Sequence, residues 1–270
     1  QISIAGYAET RLPAPPLPPE FSAAGNRLGL KLLALFLGIL CLAIFVLDDF
    51  RSLGAVTLFI SLATHMPYII ALLAKRACFI AQPHAPLADD MLPVYSVLIA
   101  VYDEANMMAQ IARSLAALDY PHDRLDVLIL IEADDRQTRQ AAKRIAWPPF
   151  VRLLTVHADG PKTKPRACNF GLAHARGALV VVYDAEDQPH PRQLRDAAAR
   201  FHTAPPDIAC LQAPLIIDQT SNDWLAAMFA LEYRLLFTRF LPVLANFGCV
   251  IPLGGTSNHF RADTLRALGA

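Results

Sequence analysis

The sequence predicts an α/β protein, a mostly parallel sheet with crossover helices, preceded by a two-helix transmembrane hairpin. Three observations predict it. From residue 93 onward short apolar runs alternate with helical segments, the pattern of strands joined by crossover helices. The run Leu179-Val180-Val181-Val182-Tyr183 leads directly into Asp184, Glu186 and Asp187 and then a proline-rich break, as expected where an inner parallel strand opens into a ligand crevice. Near the N-terminus lie two long stretches almost free of charge.

Those stretches account for a composition of 54% hydrophobic residues and a mean hydropathy of +0.34, both high for an ordinary soluble domain. Residues 28–47 are apolar apart from Lys31, and residues 53–74 hold no Asp, Glu, Lys or Arg. Each is long enough to span a bilayer, and the short acidic turn between them makes an antiparallel hairpin. Arg27, Lys31, Lys75 and Arg76 flank the outer ends, so the positive-inside rule places the N-terminus and the rest of the chain in the cytoplasm. The expected localisation is therefore the inner (plasma) membrane, multi-pass, with the sheet domain cytoplasmic; two buried core helices are the alternative.

The expected domains are a Pro-rich cytoplasmic arm (1–26), the hairpin (27–76) and the α/β domain (77–270). Residues 12–19 contain five prolines and favour an extended spacer. Strands are expected over 95–101, 125–131, 151–156, 179–183 and 208–212. Helices are expected over 105–118, 136–145, 167–175 and 191–202. A further apolar helix over 224–241 carries Glu232, Arg234 and Arg239 on no common face, so it is not read as a clean amphipathic surface helix. Because the chain opens at Gln1 without Met and stops at Ala270 just after a helical pattern, a fragment of a longer protein is expected.

Twenty-four Lys and Arg balance 24 Asp and Glu, which gives no global field toward nucleic acid. The five cysteines are scattered without a Cys-x-x-Cys pair, so zinc is not indicated and reduced packing thiols are expected. The hard oxygen ligands after residue 183 suit Mg²⁺ or Mn²⁺ and, beside them, a phosphorylated substrate. Carboxylates at i and i+2 of an extended segment face one way, which lets Asp184 and Glu186 share a site, with Asp187 as a rival ligand. Ahead of them runs Gly160-Pro161-Lys162-Thr163-Lys164-Pro165-Arg166, a basic loop feeding a helix, and cations beside a helix N-terminus suit a diphosphate.

With Val97-Leu98-Ile99-Ala100-Val101-Tyr102-Asp103-Glu104, Ile131-Glu132-Ala133-Asp134-Asp135 and Pro252-Leu253-Gly254-Gly255-Thr256-Ser257-Asn258-His259, these segments resemble, in order and spacing over 94–270, the family 2 glycosyltransferases. The resemblance is to the membrane-bound, cellulose-synthase-like branch that makes exopolysaccharides. It implies the GT-A form of a Rossmann-like sheet. It also implies a UDP-sugar site in which Tyr102 and Glu104 border the uridine and Asp134 accepts from the base, while Asp135 could instead cap the helix near Arg136, capping being the alternative for either residue. Lys164 and Arg166 would meet the diphosphate, Asp184 would lie near ribose and metal, and Glu186 would ligate the metal. Gly255, Thr256, Asn258 and His259 would form an acceptor-side loop, His259 as a positioning or structural group. Two departures stand out: the turn after the first strand lacks the family's usual Pro and Asn-Glu, and neither the catalytic acidic motif nor the Gln-x-x-Arg-Trp motif occurs before Ala270.

The implied function is an inverting, metal-dependent hexosyltransferase that passes a sugar from a UDP-sugar to a growing polysaccharide or lipid-linked acceptor at the membrane, with envelope-export subunits as partners and no nucleic acid. No catalytic base is assigned, since it is expected beyond Ala270. The alternatives are a catalytically silent nucleotide-sugar-binding scaffold and a single-addition transferase acting on a lipid carrier.

Overall fold

The computed structural model describes residues 54, 56–61, 85–157, 162–217, 223–246 and 251–269. Its centre is a six-stranded sheet of order β3-β2-β1-β4-β6-β5. The strands are β1 (Tyr95–Val101), β2 (Leu125–Glu132), β3 (Val151–Val156), β4 (Leu179–Tyr183), β5 (Cys210–Gln212) and β6 (Asn258–Arg261). β1 to β4 pair in parallel, whereas β6 runs antiparallel to both β4 and β5. The helices are α1 (Met108–Ala116), α2 (Arg136–Lys143), α3 (Lys164–His174), α4 (Gln193–Thr203), α5 (Trp224–Leu235), α6 (Leu241–Asn246) and α7 (Ala262–Ala267).

The apolar runs of β1 and β2 are continuous because both faces of the sheet are covered. Val97, Ile99 and Val101 pack with Met108, Ile111 and Leu115 of α1 and Leu194, Ala198 and Phe201 of α4. Leu98, Leu128 and Leu130 face the other way, onto Ala167 and Leu172 of α3 and Ala262 of α7. Each buried Val, Leu, Ile, Met or Phe among them is worth ~1.5–3 kcal/mol relative to exposure. Chain order leaves β1 in two directions, to β2 and β3 on one side and β4 on the other, so the carboxyl ends of β1 and β4 flank a topological switch point.

The opposite, amino edge is clamped by Asp126, which is 1% exposed. Its carboxylate accepts from Ser96 Oγ (2.8 Å), Arg152 Nη2 (2.6 Å) and the Arg176 backbone N–H (2.9 Å). Burial pushes this carboxyl up, but the Arg176 N–H, the Ser96 hydroxyl and Arg152 outweigh it and hold it below the usual carboxylate range.

The structure corrects several expectations. Among the described residues no helix is long and apolar enough to cross a membrane. That overturns the expected multi-pass inner-membrane placement, and the transmembrane hairpin gains no support. In the second apolar stretch the described residues are 54 and 56–61, all of them helical. The arm, the first stretch and the rest of the second lie outside the described residues.

Residues 258–261, expected as loop, form β6, since four residues with one large apolar side chain carry no strand period and gain their order from pairing with β4 and β5. The helix expected to start at 167 begins at Lys164. There Thr163 Oγ1 caps it by accepting from the Arg166 N–H at 3.4 Å, and Pro165 occupies the first turn, where no N–H is needed. The single helix expected over 224–241 is α5, a π-turn over Leu236–Phe240, and α6.

Candidate functional site

The carboxyl edge of the parallel strands collects the polar segments picked out in the sequence. After β1 the chain turns at Asp103, which adopts a left-handed φ of 58°. Its N–H donates to Asp135 Oδ2 at 2.7 Å, and the Glu104 N–H donates to Thr138 Oγ1 at 3.0 Å. Asp135 Oδ1 also accepts from the Thr138 N–H at 3.0 Å, so Asp135 is the cap of α2 and ties the two turns together. Asp134 points elsewhere, into an ion pair with Lys162, whose ammonium lies 5.2 Å from the centroid of the Tyr102 ring. The edge is thus split between a buried structural carboxylate and an exposed, cation-paired one.

Arg166 and Lys164 stand on the first turn of α3 and part ways as well. Arg166 Nη2 grips both oxygens of Glu132 at 2.5 and 2.6 Å, and its Nη1 donates to the His157 carbonyl at 2.8 Å. Glu132, the last residue of β2, is 4% exposed, so this charge-assisted pair fixes α3 against the sheet. Lys164 reaches forward instead, pairing with Asp184 and donating to the Gly255 carbonyl at 2.7 Å. It bridges the end of β4 to the segment before β6.

That segment is braced a second time by Asp187. Its Oδ2 accepts from the Asp184 N–H at 2.8 Å and from the Thr256 hydroxyl. Burial, and the charges of Asp184 and Glu186, push its carboxyl above the usual range against the opposing hydrogen bonds of Thr256 and Asp184. Asp187 is turned inward, whereas Glu186 is exposed. The Glu186 carbonyl accepts from Gln110 Nε2 at 3.2 Å.

The acceptor-side group divides by burial. Gly255 is exposed, Thr256 and Asn258 are 6% exposed, and His259 is 1% exposed on β6. Its Nδ1 lies 2.7 Å from the Tyr95 hydroxyl, and burial drops its imidazole to a pKa of about 4. His259 is therefore a neutral core group rather than a side chain on an acceptor loop. Sequence reasoning missed two residues: Lys162, quoted only as part of the basic loop, and Asp187, weighed only as a ligand. A three-residue reach from Asp184 N–H back to Asp187 is the turn signal that points to the latter.

Among the described residues no three His, Cys, Asp or Glu side chains gather closely enough to hold a metal by themselves. The carboxylates of Asp184 and Glu186 are of the donor type that Mg²⁺-type sites use, commonly one or two together with phosphate oxygens. The Asp184 carboxylate is paired with the Lys164 ammonium, which an ion at that oxygen would have to displace.

Residues 93–270 match the family model described as "Glycosyltransferase like family 2". Probable glycosyltransferase YdaM of Bacillus subtilis (strain 168) is 29% identical over 100 residues, which is 36% of this chain and 24% of that protein. Poly(ribitol-phosphate) beta-N-acetylglucosaminyltransferase TarS of Staphylococcus aureus (strain Mu50 / ATCC 700699) is 28% identical over 107 residues, 39% of this chain and 18% of that one. The aligned part is thus a quarter or less of these relatives' length. The structure of mannosyltransferase PcManGT from Pyrobaculum calidifontis, in complex with GDP-Man and Mn²⁺, superimposes with a TM-score of 0.58 at 23% identity, covering 80% of this chain and 58% of that one. At that identity the likeness is one of fold. With the family match running from the start of β1 to the end of the chain, this protein belongs to the glycosyltransferase-like family 2.

Proposed function

We propose that this chain carries the donor-binding domain of a metal-dependent, inverting glycosyltransferase that uses a UDP-sugar. The observation that carries the reading is the meeting of Lys164, Asp184 and the Gly255 carbonyl beside the β1/β4 switch point, where open α/β sheets bind ligands.

In this reading Tyr102 packs against uracil, Asp134 accepts from its N–H, and Glu104 borders the nucleoside. Lys164 offers its ammonium to the diphosphate while its hydrogen bond to Gly255 keeps the loop closed over the sugar. Arg166 acts at one remove, since its grip on Glu132 sets the position of the α3 N-terminus. Asp184 and Glu186 would hold Mg²⁺ or Mn²⁺ together with the donor, and the ion would offset the charge of the departing UDP. The acceptor, a polysaccharide end or a lipid-linked sugar, would approach past Gly255, while Thr256, through Asp187, holds that segment in place. We assign the base that deprotonates its hydroxyl to none of the described residues. PcManGT, bound to GDP-Man and Mn²⁺, supports a metal-assisted nucleotide-sugar site and makes GDP the natural competitor to test.

The test is calorimetry of UDP and of GDP with and without Mn²⁺. UDP is expected to bind in a Mn²⁺-dependent way, and Asp184→Ala and Glu186→Ala each to weaken it at least ~10-fold. UDP binding indifferent to Mn²⁺ and to both substitutions would sink the proposal.

A further inference from the structure

Three side chains from three separate connections meet at the outer rim of the carboxyl edge. Lys162 comes from the β3–α3 connection, Asp134 from β2–α2 and Tyr102 from β1–α1. The ammonium of Lys162 pairs with Asp134 and lies 5.2 Å from the centre of the Tyr102 ring, so one cation covers an aromatic face and neutralises a carboxylate. The hydrogen bond between them holds the Asp134 carboxyl below its usual range and pushes the Lys162 ammonium up.

The contact is not a core feature. Tyr102 is 53% exposed, and the Asp134 and Lys162 side chains are 48% and 38% exposed. Exposed pairs of this kind are weak and exchange partners readily.

The two groups that Lys162 occupies are those assigned above to the base. In the donor-site reading uracil takes the Tyr102 face that the ammonium covers, and its N–H takes the carboxylate that the ammonium neutralises. A ligand must therefore move Lys162 before the base can seat. A bare nucleoside has nothing to offer the displaced cation. A nucleoside diphosphate has, because Lys162 is rooted next to Thr163, the cap of α3, and Lys164 of that same turn already reaches Asp184 and Gly255. A chain of phosphates running from the base site toward Asp184 passes this turn, within the sweep of a flexible lysine stem.

We propose that Lys162 is a nucleotide-binding residue that changes partner. It holds Asp134 and Tyr102 until a nucleotide arrives, and then passes to the diphosphate. It thereby selects nucleoside diphosphates over nucleosides. The proposal rests on the donor-site reading of Tyr102 and Asp134.

The experiment measures uridine and UDP affinities, the latter with Mn²⁺, on the full chain and on Lys162→Met, which keeps the stem without the charge, and Lys162→Arg, which keeps the charge. Lys162→Met is expected to bind uridine ~3-fold more tightly, the size of a lost exposed ion pair. It is expected to bind UDP ~10-fold more weakly, the size of a lost charge-assisted hydrogen bond. Lys162→Arg should stay near wild type for both. Shifts of the same sign for both ligands, or no shift for either, overturn the partner exchange. If the wild type binds no UDP, or if Tyr102→Ala and Asp134→Ala leave UDP binding unchanged, the donor-site reading falls and the proposal with it. UDP binding that depends on Tyr102 and Asp134 but not on Lys162 overturns this inference alone.

Discussion

Glu132 and Asp134 are two residues apart and have opposite fates. Glu132 ends β2 with its carboxylate buried under Arg166, whereas Asp134 lies past the strand, exposed, with Lys162. Asp184 and Asp187 repeat the contrast, one facing Lys164 and the other turned back to hold the Asp184 N–H and Thr256. In the sequence these residues form two acidic runs of one chemical type. What separates them is where the strand ends and which side chain from a distant connection reaches them, through contacts over 20 or more positions in the chain. The sharpest prediction at this scale concerns a carboxylate outside the candidate site. Asp126→Asn keeps the shape but removes the charge that Arg152 and Arg176 share. It should lower stability by about 1–2 kcal/mol in denaturant unfolding at pH 7, the order of lost charge-assisted hydrogen bonds, since Asp126 is buried but the Arg152 and Arg176 side chains are 30% and 66% exposed. The folded-state pKa of Asp126 is depressed. Its contribution is therefore present above the unfolded-state value of about 3.9 and is lost as pH falls through the folded value. The variant should accordingly show a shallower loss of stability in acid than the wild type, with the two curves converging at the lowest pH.

α3 is the element that aims the site, since its first turn presents Lys164 and its middle packs on the sheet. That packing is close because Gly171 lies there: a Cβ at this position would meet Leu130 Cδ1 at 2.7 Å and Leu98 Cδ2 at 3.1 Å. Both contacts are tips of flexible side chains. Gly177, between α3 and β4, is tighter, with the Ser96 backbone N at 2.4 Å and the Leu179 carbonyl O at 2.6 Å from the same imagined Cβ. Backbone atoms in a paired sheet cannot step aside. Gly177→Ala is therefore expected to cost about 3 kcal/mol and Gly171→Ala about 1 kcal/mol or less, read from denaturant midpoints at constant slope. Equal losses would contradict the account of which neighbour yields. At this scale the parallel strands and their helices were legible because two-sided burial writes continuous apolar runs and helical faces into the chain. β6 was not, because a four-residue strand of mixed polarity is specified by its neighbours. The π-turn after α5 was equally hidden, as its residues keep a helical pattern.

For the whole molecule, the reversal of strand order at β1 and β4 decides where chemistry can occur. The turns after β1, β2 and β4 and the segment before β6 all open at one edge, and the Asp126 clamp closes the other. The acidic run after residue 183 made that edge visible in the sequence. The division of labour within it was not visible, since capping, bracing and ligand-facing carboxylates differ only in three dimensions. The apolar N-terminal stretches drew a membrane reading that no described helix sustains. The central claim is that Asp184 and Glu186 form half of a metal site whose other half is the donor. Titrating the chain into Mn²⁺ while following the free-ion electron paramagnetic resonance signal tests it most directly. The account predicts that the signal persists with protein alone, falls with protein and UDP below the level set by UDP alone, and returns to that UDP-only level in Asp184→Ala. Mn²⁺ held equally well without UDP, or left free in its presence, would contradict it.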